Sequence, residues 1–165
     1  MGDLESSLFD FNKAAELDSL NPIIFSNWGL VLWKLERFWD AIADYTKEIS
    51  LSGKQKPWTW ALNNRAYCYA KLGEFASAIK DYSEVIEKED SQNVHAFHNR
   101  GISYERMEEF SKAINDFTEV IRLDPENGNA YFNRGCCYDT IGELDLAISD
   151  YSIALELDLK NGEKP

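Results

Sequence analysis

The chain has 165 residues, 44% of them hydrophobic and 28% charged, which is the range of an ordinary soluble domain. Its net charge of −12 disfavours a nucleic-acid surface, because affinity for phosphates comes mostly from cationic contacts, and it disfavours anionic membranes equally. No apolar run approaches the roughly 20 residues that cross a bilayer, the acidic start Met1-Gly2-Asp3-Leu4-Glu5 lacks a signal-peptide core, and Cys68, Cys136 and Cys137, odd in number and without CxxC spacing, fit reduced thiols in a cytoplasmic setting.

In chain order, Leu8, Phe11, Ala14, Ala15 and Leu17 predict one helix over 3–20, ended by Asn21-Pro22. Residues 22–52 carry Asn27-Trp28-Gly29, then Ala41-Ile42, then Asp44-Tyr45. The same order returns over 58–91 as Asn64-Arg65-Ala66, Tyr69, Ala78-Ile79 and Asp81-Tyr82. It returns over 94–127 as Asn99-Arg100-Gly101, Tyr104, Ala113-Ile114 and Asp116-Phe117. The last copy, over 128–159, has Asn133-Arg134-Gly135, Tyr138, Ala147-Ile148 and Asp150-Tyr151, and 160–165 is a tail. The asparagines are offset by 37 (27 to 64), 35 (64 to 99) and 34 (99 to 133), a period that marks stacked units.

Within one copy, Phe97, Gly101 and Tyr104 keep helical spacing, and so do Phe110, Ala113, Ile114, Phe117, Val120 and Ile121. Met107-Glu108-Glu109 is the turn between these two helices; Leu72-Gly73-Glu74 and Ile141-Gly142-Glu143 stand at the same place, with glycine as the helix-stop signal. Each copy is therefore a helical hairpin. The small residues 29, 66, 101 and 135 on first helices, and Ala41, Ala78, Ala113 and Ala147 on second helices, permit close approach. Tyr69, Tyr104 and Tyr138 against Phe75 and Phe110 fill the space between units. A lone hairpin cannot bury its apolar faces, whereas stacked hairpins can.

The small-residue, aromatic and alanine order of Gly101, Tyr104, Ala113 and Phe117, closed by Pro125, resembles the tetratricopeptide repeat family over nearly the whole chain. The first copy is degenerate, with Leu32 in place of tyrosine and Glu48 where the others have Val85, Val120 or Ala154. The resemblance implies an all-α fold, a right-handed superhelical solenoid of nine helices: one orphan second helix and four hairpins. Pentatricopeptide RNA readers share the period, but the acidic composition disfavours the basic, base-reading face they need.

First helices line the concave face of such arrays. Asn27, Asn64, Asn99 and Asn133 recur there, and an amide carries both a donor and an acceptor for a peptide backbone. Superhelices of this family in sugar-transferring enzymes use such an asparagine ladder, and the resemblance implies that use here; capping of local backbone or a bond to a neighbouring helix is the alternative. Trp33, Trp60 and Tyr67 are further groove candidates, and Lys34, Lys71 and Arg106 form a basic rail that favours acidic or carboxylate-bearing peptides. Arg65, Arg100 and Arg134 each precede an aspartate by 16 residues (Asp81, Asp116, Asp150), which reads as a structural pair within or between hairpins; Trp28 breaks that pattern before Asp44. All five tryptophans lie within 28–60, and Trp39, on an outward position, is read as packing on the Ser52–Pro57 loop, with a contact to another chain or a missing repeat as the alternative.

No phosphate loop, nucleophile elbow or metal-ligand cluster occurs, and His95 with His98 lacks a third ligand, so neither catalysis nor a metal or cofactor is expected. The family's chaperone-tail clamp needs a lysine and an asparagine flanking the first small residue. Ser26 and Leu30 stand there, so a co-chaperone role ranks last. The expected function is a non-catalytic scaffold or adaptor that binds a protein or extended peptide in the concave groove. The alternative is an architectural array, or a piece of a longer one, that forms homo-oligomers through its ends.

Overall fold

The computed structural model describes residues 18, 20–52, 58–88 and 92–162. The expected helix over 3–20 falls outside these, except for 18 and 20, as do residues 53–57 of the long loop and the end of the tail. Eight α-helices and no strand occur among the described residues: α1 (Pro22–Lys34), α2 (Phe38–Ser52), α3 (Trp58–Lys71), α4 (Phe75–Lys88), α5 (Val94–Arg106), α6 (Phe110–Leu123), α7 (Gly128–Thr140) and α8 (Leu144–Gly162). The chain divides into two compact units, Met1–Asp81 and Tyr82–Pro165. In the first, α1 packs on α2 and α2 on α3; in the second, α5 packs on α6, α6 on α7 and α7 on α8. The architecture is an all-α repeat solenoid.

Local sequence explains the helix ends. Asn21, Asn93 and Asn127 cap α1, α5 and α7, accepting from the backbone N–H of Ile23, Ala96 and Ala130. Within each hairpin the turn repeats one geometry. The N–H of Arg37, Glu74, Glu109 and Glu143 donates to the carbonyl five residues earlier, of Leu32, Tyr69, Tyr104 and Tyr138. That bond closes the C-terminal turn through one left-handed residue. The left-handed residue is Gly73 (φ 81°) and Gly142 (φ 85°) in two hairpins, but Glu36 (φ 57°) and Glu108 (φ 60°) in the others.

The core explains the small residues. A Cβ on Gly29, Gly101 or Gly135 would lie 2.6, 2.8 and 2.8 Å from the rings of Tyr45, Phe117 and Tyr151 on the second helix of the same hairpin. Tyr45, Tyr82 and Phe117 are fully buried, and Ala41, Ala78 and Ala113 with them. Trp28 and Trp33 pack against the cluster of Leu32, Ala41, Ile42, Tyr45, Ala61 and Cys68. Cys68 and Cys137 are also core residues, and burial pushes their thiols up to about 11 and about 12.

The arginine–aspartate pairs form as forks. Arg65 Nε and Nη2 donate to Asp81 Oδ2 and Oδ1 at 2.7 and 2.8 Å. Arg100 does so to Asp116 at 2.8 and 2.7 Å, and Arg134 to Asp150 at 2.7 and 2.8 Å. The remaining Nη1 reaches back to a hydroxyl on the preceding second helix: Thr46 at 3.0 Å, Ser83 at 2.9 Å and Thr118 at 3.0 Å. One guanidinium thus joins both helices of its hairpin and the hairpin before it. Tyr104 and Tyr138 do more than fill space. Arg100 lies between the rings of Phe97 and Tyr104, and Arg134 between those of Tyr131 and Tyr138, all 5.5–5.9 Å away. Burial pushes the Asp116 carboxyl up, and the Arg100 bonds pull against it.

The first hairpin has Trp28 at the arginine position. Asp44 Oδ2 is buried there without a hydrogen-bond partner, as is Oε2 of the buried Glu48 one turn on. Burial, and then the nearby Asp40, raise the Asp44 carboxyl to about 7.

Gly73 and Gly142 have open space where a Cβ would stand, so the turn cost is conformational alone. Glu108→Gly should therefore raise stability by about 1 kcal/mol and Gly73→Ala lower it by about the same, read as shifts in urea midpoint at constant slope. The folded pKa of Asp44 exceeds its ordinary value, so the native state holds the proton more tightly. Stability should fall as pH rises from about 4 towards about 7; Asp44→Asn should flatten that fall in thermal melts taken across the range.

Candidate functional site

On α3, Trp60, Asn64, Tyr67 and Lys71 fall at i, i+4, i+7 and i+11, which places them on one stripe of the helix. Tyr67 meets Trp33 of α1 edge to face, with ring centroids 5.9 Å apart. The ammonium of Lys71 sits 5.2 Å from the centre of the Tyr67 ring. Trp33, Tyr67 and Lys71 line an open pocket of about 480 Å³ with Lys34, Glu36 and Phe38. Four of the residues expected to contact a partner, Trp33, Lys34, Tyr67 and Lys71, are thus brought together. Their arrangement offers two aromatic surfaces and two ammonium groups to a ligand, with one carboxylate at the rim.

Sequence reasoning missed Glu36 and Phe38. Both belong to the α1–α2 turn: Glu36 is its left-handed residue and Phe38 opens α2. The signal lay in the turn pattern, since the last turn of α1 and the start of α2 form one rim.

The other expected contacts stand apart from that pocket. Trp60 is 43% exposed and lies edge-on to Tyr45, centroids 5.8 Å apart. Trp39 is 59% exposed on the outward side of α2. Asn27 is exposed on α1, and Arg106 is exposed at the end of α5.

The remaining asparagines diverge. Asn64 is half-buried, and its Nδ2 is buried without a hydrogen-bond partner. Asn99 is half-buried on α5, where its backbone carbonyl accepts from Ser103. Asn133 Nδ2 donates to Nε2 of His98 at 2.9 Å. His98 also meets Phe117 edge-on at 5.8 Å. Burial, and then His95, push the His98 pKa down, so the ring accepts as neutral imidazole. Among the described residues no group of three or more His, Cys, Asp or Glu converges on a metal position, and no helix is long and apolar enough to cross a membrane.

The asparagines should separate on truncation. Asn133→Ala should cost about 1 kcal/mol by removing the bond to His98, whereas Asn64→Ala removes an unpaired donor and should leave the denaturation midpoint unchanged or raise it. Equal losses at both positions would contradict this division.

Residues 59–91, 94–127 and 117–149 match profiles of the tetratricopeptide repeat, together more than half of the chain. Over 83 residues, 48% of this chain, it is 32% identical to the mitochondrial import receptor subunit TOM70 of Rattus norvegicus, and the match spans only 14% of that protein. Among solved structures, MamA superposes with a TM-score of 0.92 at 23% identity, covering 99% of this chain and 93% of that one. YrrB, described as a TPR protein with an unusual peptide-binding site, superposes at 0.83 with 20% identity, covering 94% and 78%. The repeated hairpins, the glycine-to-ring packing and these sequence matches agree: the chain belongs to the tetratricopeptide repeat family.

Proposed function

We propose that this scaffold binds an extended peptide through the pocket of Trp33, Lys34, Tyr67 and Lys71, and takes an acidic or aromatic side chain there. Repeat arrays of this family are protein-interaction scaffolds, and the pocket is the observation that carries the finer reading. Its two rings, inclined to each other at 64°, offer a face and an edge to a planar side chain. Two lysines in a chain of net charge −12 are a local reversal of sign, which selects against basic segments and favours carboxylates. Trp60, 43% exposed, continues the stripe along α3 and extends the aromatic surface beyond the pocket. The peptide-binding site of YrrB, a protein of similar fold, supports this class of ligand.

Selection from a random peptide library displayed on phage tests the reading. Enriched peptides should carry Asp or Glu next to an aromatic residue. Lys34→Glu with Lys71→Glu should weaken them at least tenfold, with a loss of salt dependence, and Tyr67→Ala by a similar factor. Peptides whose affinity ignores all three changes would reject the pocket.

A further inference from the structure

The pocket of α1, α2 and α3 carries a third charge in a backbone conformation that costs energy. Glu36 has φ 57°, the left-handed region, where a Cβ crowds its own backbone. The turn holds it there. Its N–H donates to the Trp33 carbonyl at 3.0 Å, and the N–H of Arg37 donates to the Leu32 carbonyl at 2.9 Å. Two other hairpins make this turn with Gly73 and Gly142, so the turn itself needs no side chain. A Cβ on either glycine would find nothing within 4 Å, so a side chain here gains no packing in return. Neither turn formation nor packing accounts for a glutamate at 36, and strain beside a binding pocket is ground for a functional hypothesis.

Glu36 also lacks a charge partner. Lys34, Glu36 and Lys71 all line the pocket and are all exposed, yet none forms an ion pair among the described residues. Arg37, next in the chain, is held by Asp40 at 2.7 Å. Lys71 is turned to the Tyr67 ring, 5.2 Å from its centre. The mouth of the pocket therefore presents two ammonium groups and one carboxylate that do not neutralise one another. Were its ligands carboxylates alone, Glu36 would oppose every one of them.

We propose that Glu36 is a specificity-determining residue of this pocket, and that the peptide bound there carries a lysine or arginine beside its acidic residue. The proposal rests on the peptide-binding reading of the pocket. The acid of the segment meets Lys34 and Lys71, and the base beside it meets Glu36. A purely acidic segment is repelled by Glu36, and a purely basic one by the two lysines. Selection is then by the order of charges along the segment, not by their sum.

Glu108 supplies a matched control. It has the same left-handed conformation (φ 60°) in the α5–α6 turn, and it lines a different cleft with Phe110 and Ile141. Glu36→Gly and Glu108→Gly relieve the same conformation and remove the same charge. General attraction between basic peptides and a chain of net charge −12 is therefore altered alike in both.

The test titrates the full chain, followed by NMR because single exposed charge contacts are weak. Three end-blocked peptides serve as probes, with the cores Lys-Phe-Asp-Lys, Ala-Phe-Asp-Ala and Glu-Phe-Asp-Glu. The native chain should bind the first more tightly than the third. Glu36→Gly should reduce that preference about fivefold, the worth of exposed charge pairs. Glu36→Lys should invert it, and Glu108→Gly should leave it unchanged. Urea midpoints of both glycine variants at or above that of the native chain show that the fold is kept. An unchanged preference in Glu36→Gly, or an equal change in both glycine variants, overturns the proposal. The pocket reading then still stands if Lys34→Glu with Lys71→Glu weakens the alanine-flanked peptide at least tenfold. Peptides that do not bind, or whose binding ignores those two lysines, overturn both.

Discussion

The structure depends on one guanidinium repeated three times. Arg65, Arg100 and Arg134 each fork onto an aspartate, reach a hydroxyl on the preceding helix, and in the second unit lie between two aromatic rings. Buried ion pairs are costly to desolvate and repay that cost only when every polar atom is met in good geometry. Here the fork and the hydroxyl together use Nε, Nη1 and Nη2. A lysine offers no such planar fork, which is why the position is arginine in every copy that keeps the tie. The apolar packing around it, glycine against ring and alanine against alanine, brings the helices near enough for the tie to close.

That tie was legible because both ends recur at a fixed distance of 16 residues. Its hydroxyl limb was not, because Thr46, Ser83 and Thr118 precede their arginines by 19, 17 and 16 residues as the loop lengths vary. The hairpins were legible from their periodic apolar residues, and two of the turns from Gly73 and Gly142. The left-handed Glu36 and Glu108 carry no such signal, since glutamate has no preference for that conformation, and only alignment with the glycine turns points to them. The asparagines show the converse. One letter in one register predicts one role, yet Asn133 is held by His98 while the Nδ2 of Asn64 is left unpaired. The partner comes from the neighbouring helix, and that neighbour changes from copy to copy.

The candidate pocket emerges from the same irregularity. The repeat positions that are constant build the array, and those that vary are free to carry recognition. Trp33 and Tyr67 have no repeated counterpart of the same chemistry: Ala70, Glu105 and Asp139 stand at the place of Trp33, and Leu30, Ile102 and Cys136 at that of Tyr67, whereas Lys71 recurs as Lys34 and Arg106. This aromatic pair is therefore confined to the first unit. The other expected contacts are distributed along the first helices α1, α3, α5 and α7.

The broken copy has a further consequence. Arrays of this kind behave as chains of nearest-neighbour couplings, so cooperativity ends where a coupling is weak. With tryptophan at 28, the Asp44 carboxylate lacks the cross-link that its three counterparts enjoy. Arg65 still ties the next hairpin to Thr46 of α2, so the weakened joint lies between α1 and α2 inside the first hairpin, and the α1 amides should exchange at a lower free energy than those of the interior hairpins. Since that hairpin also contributes Trp33, Lys34, Glu36 and Phe38 to the pocket, a bound peptide would be read out as slower amide exchange in α1 and α2. Recognition and local stability become two measurements of a single equilibrium.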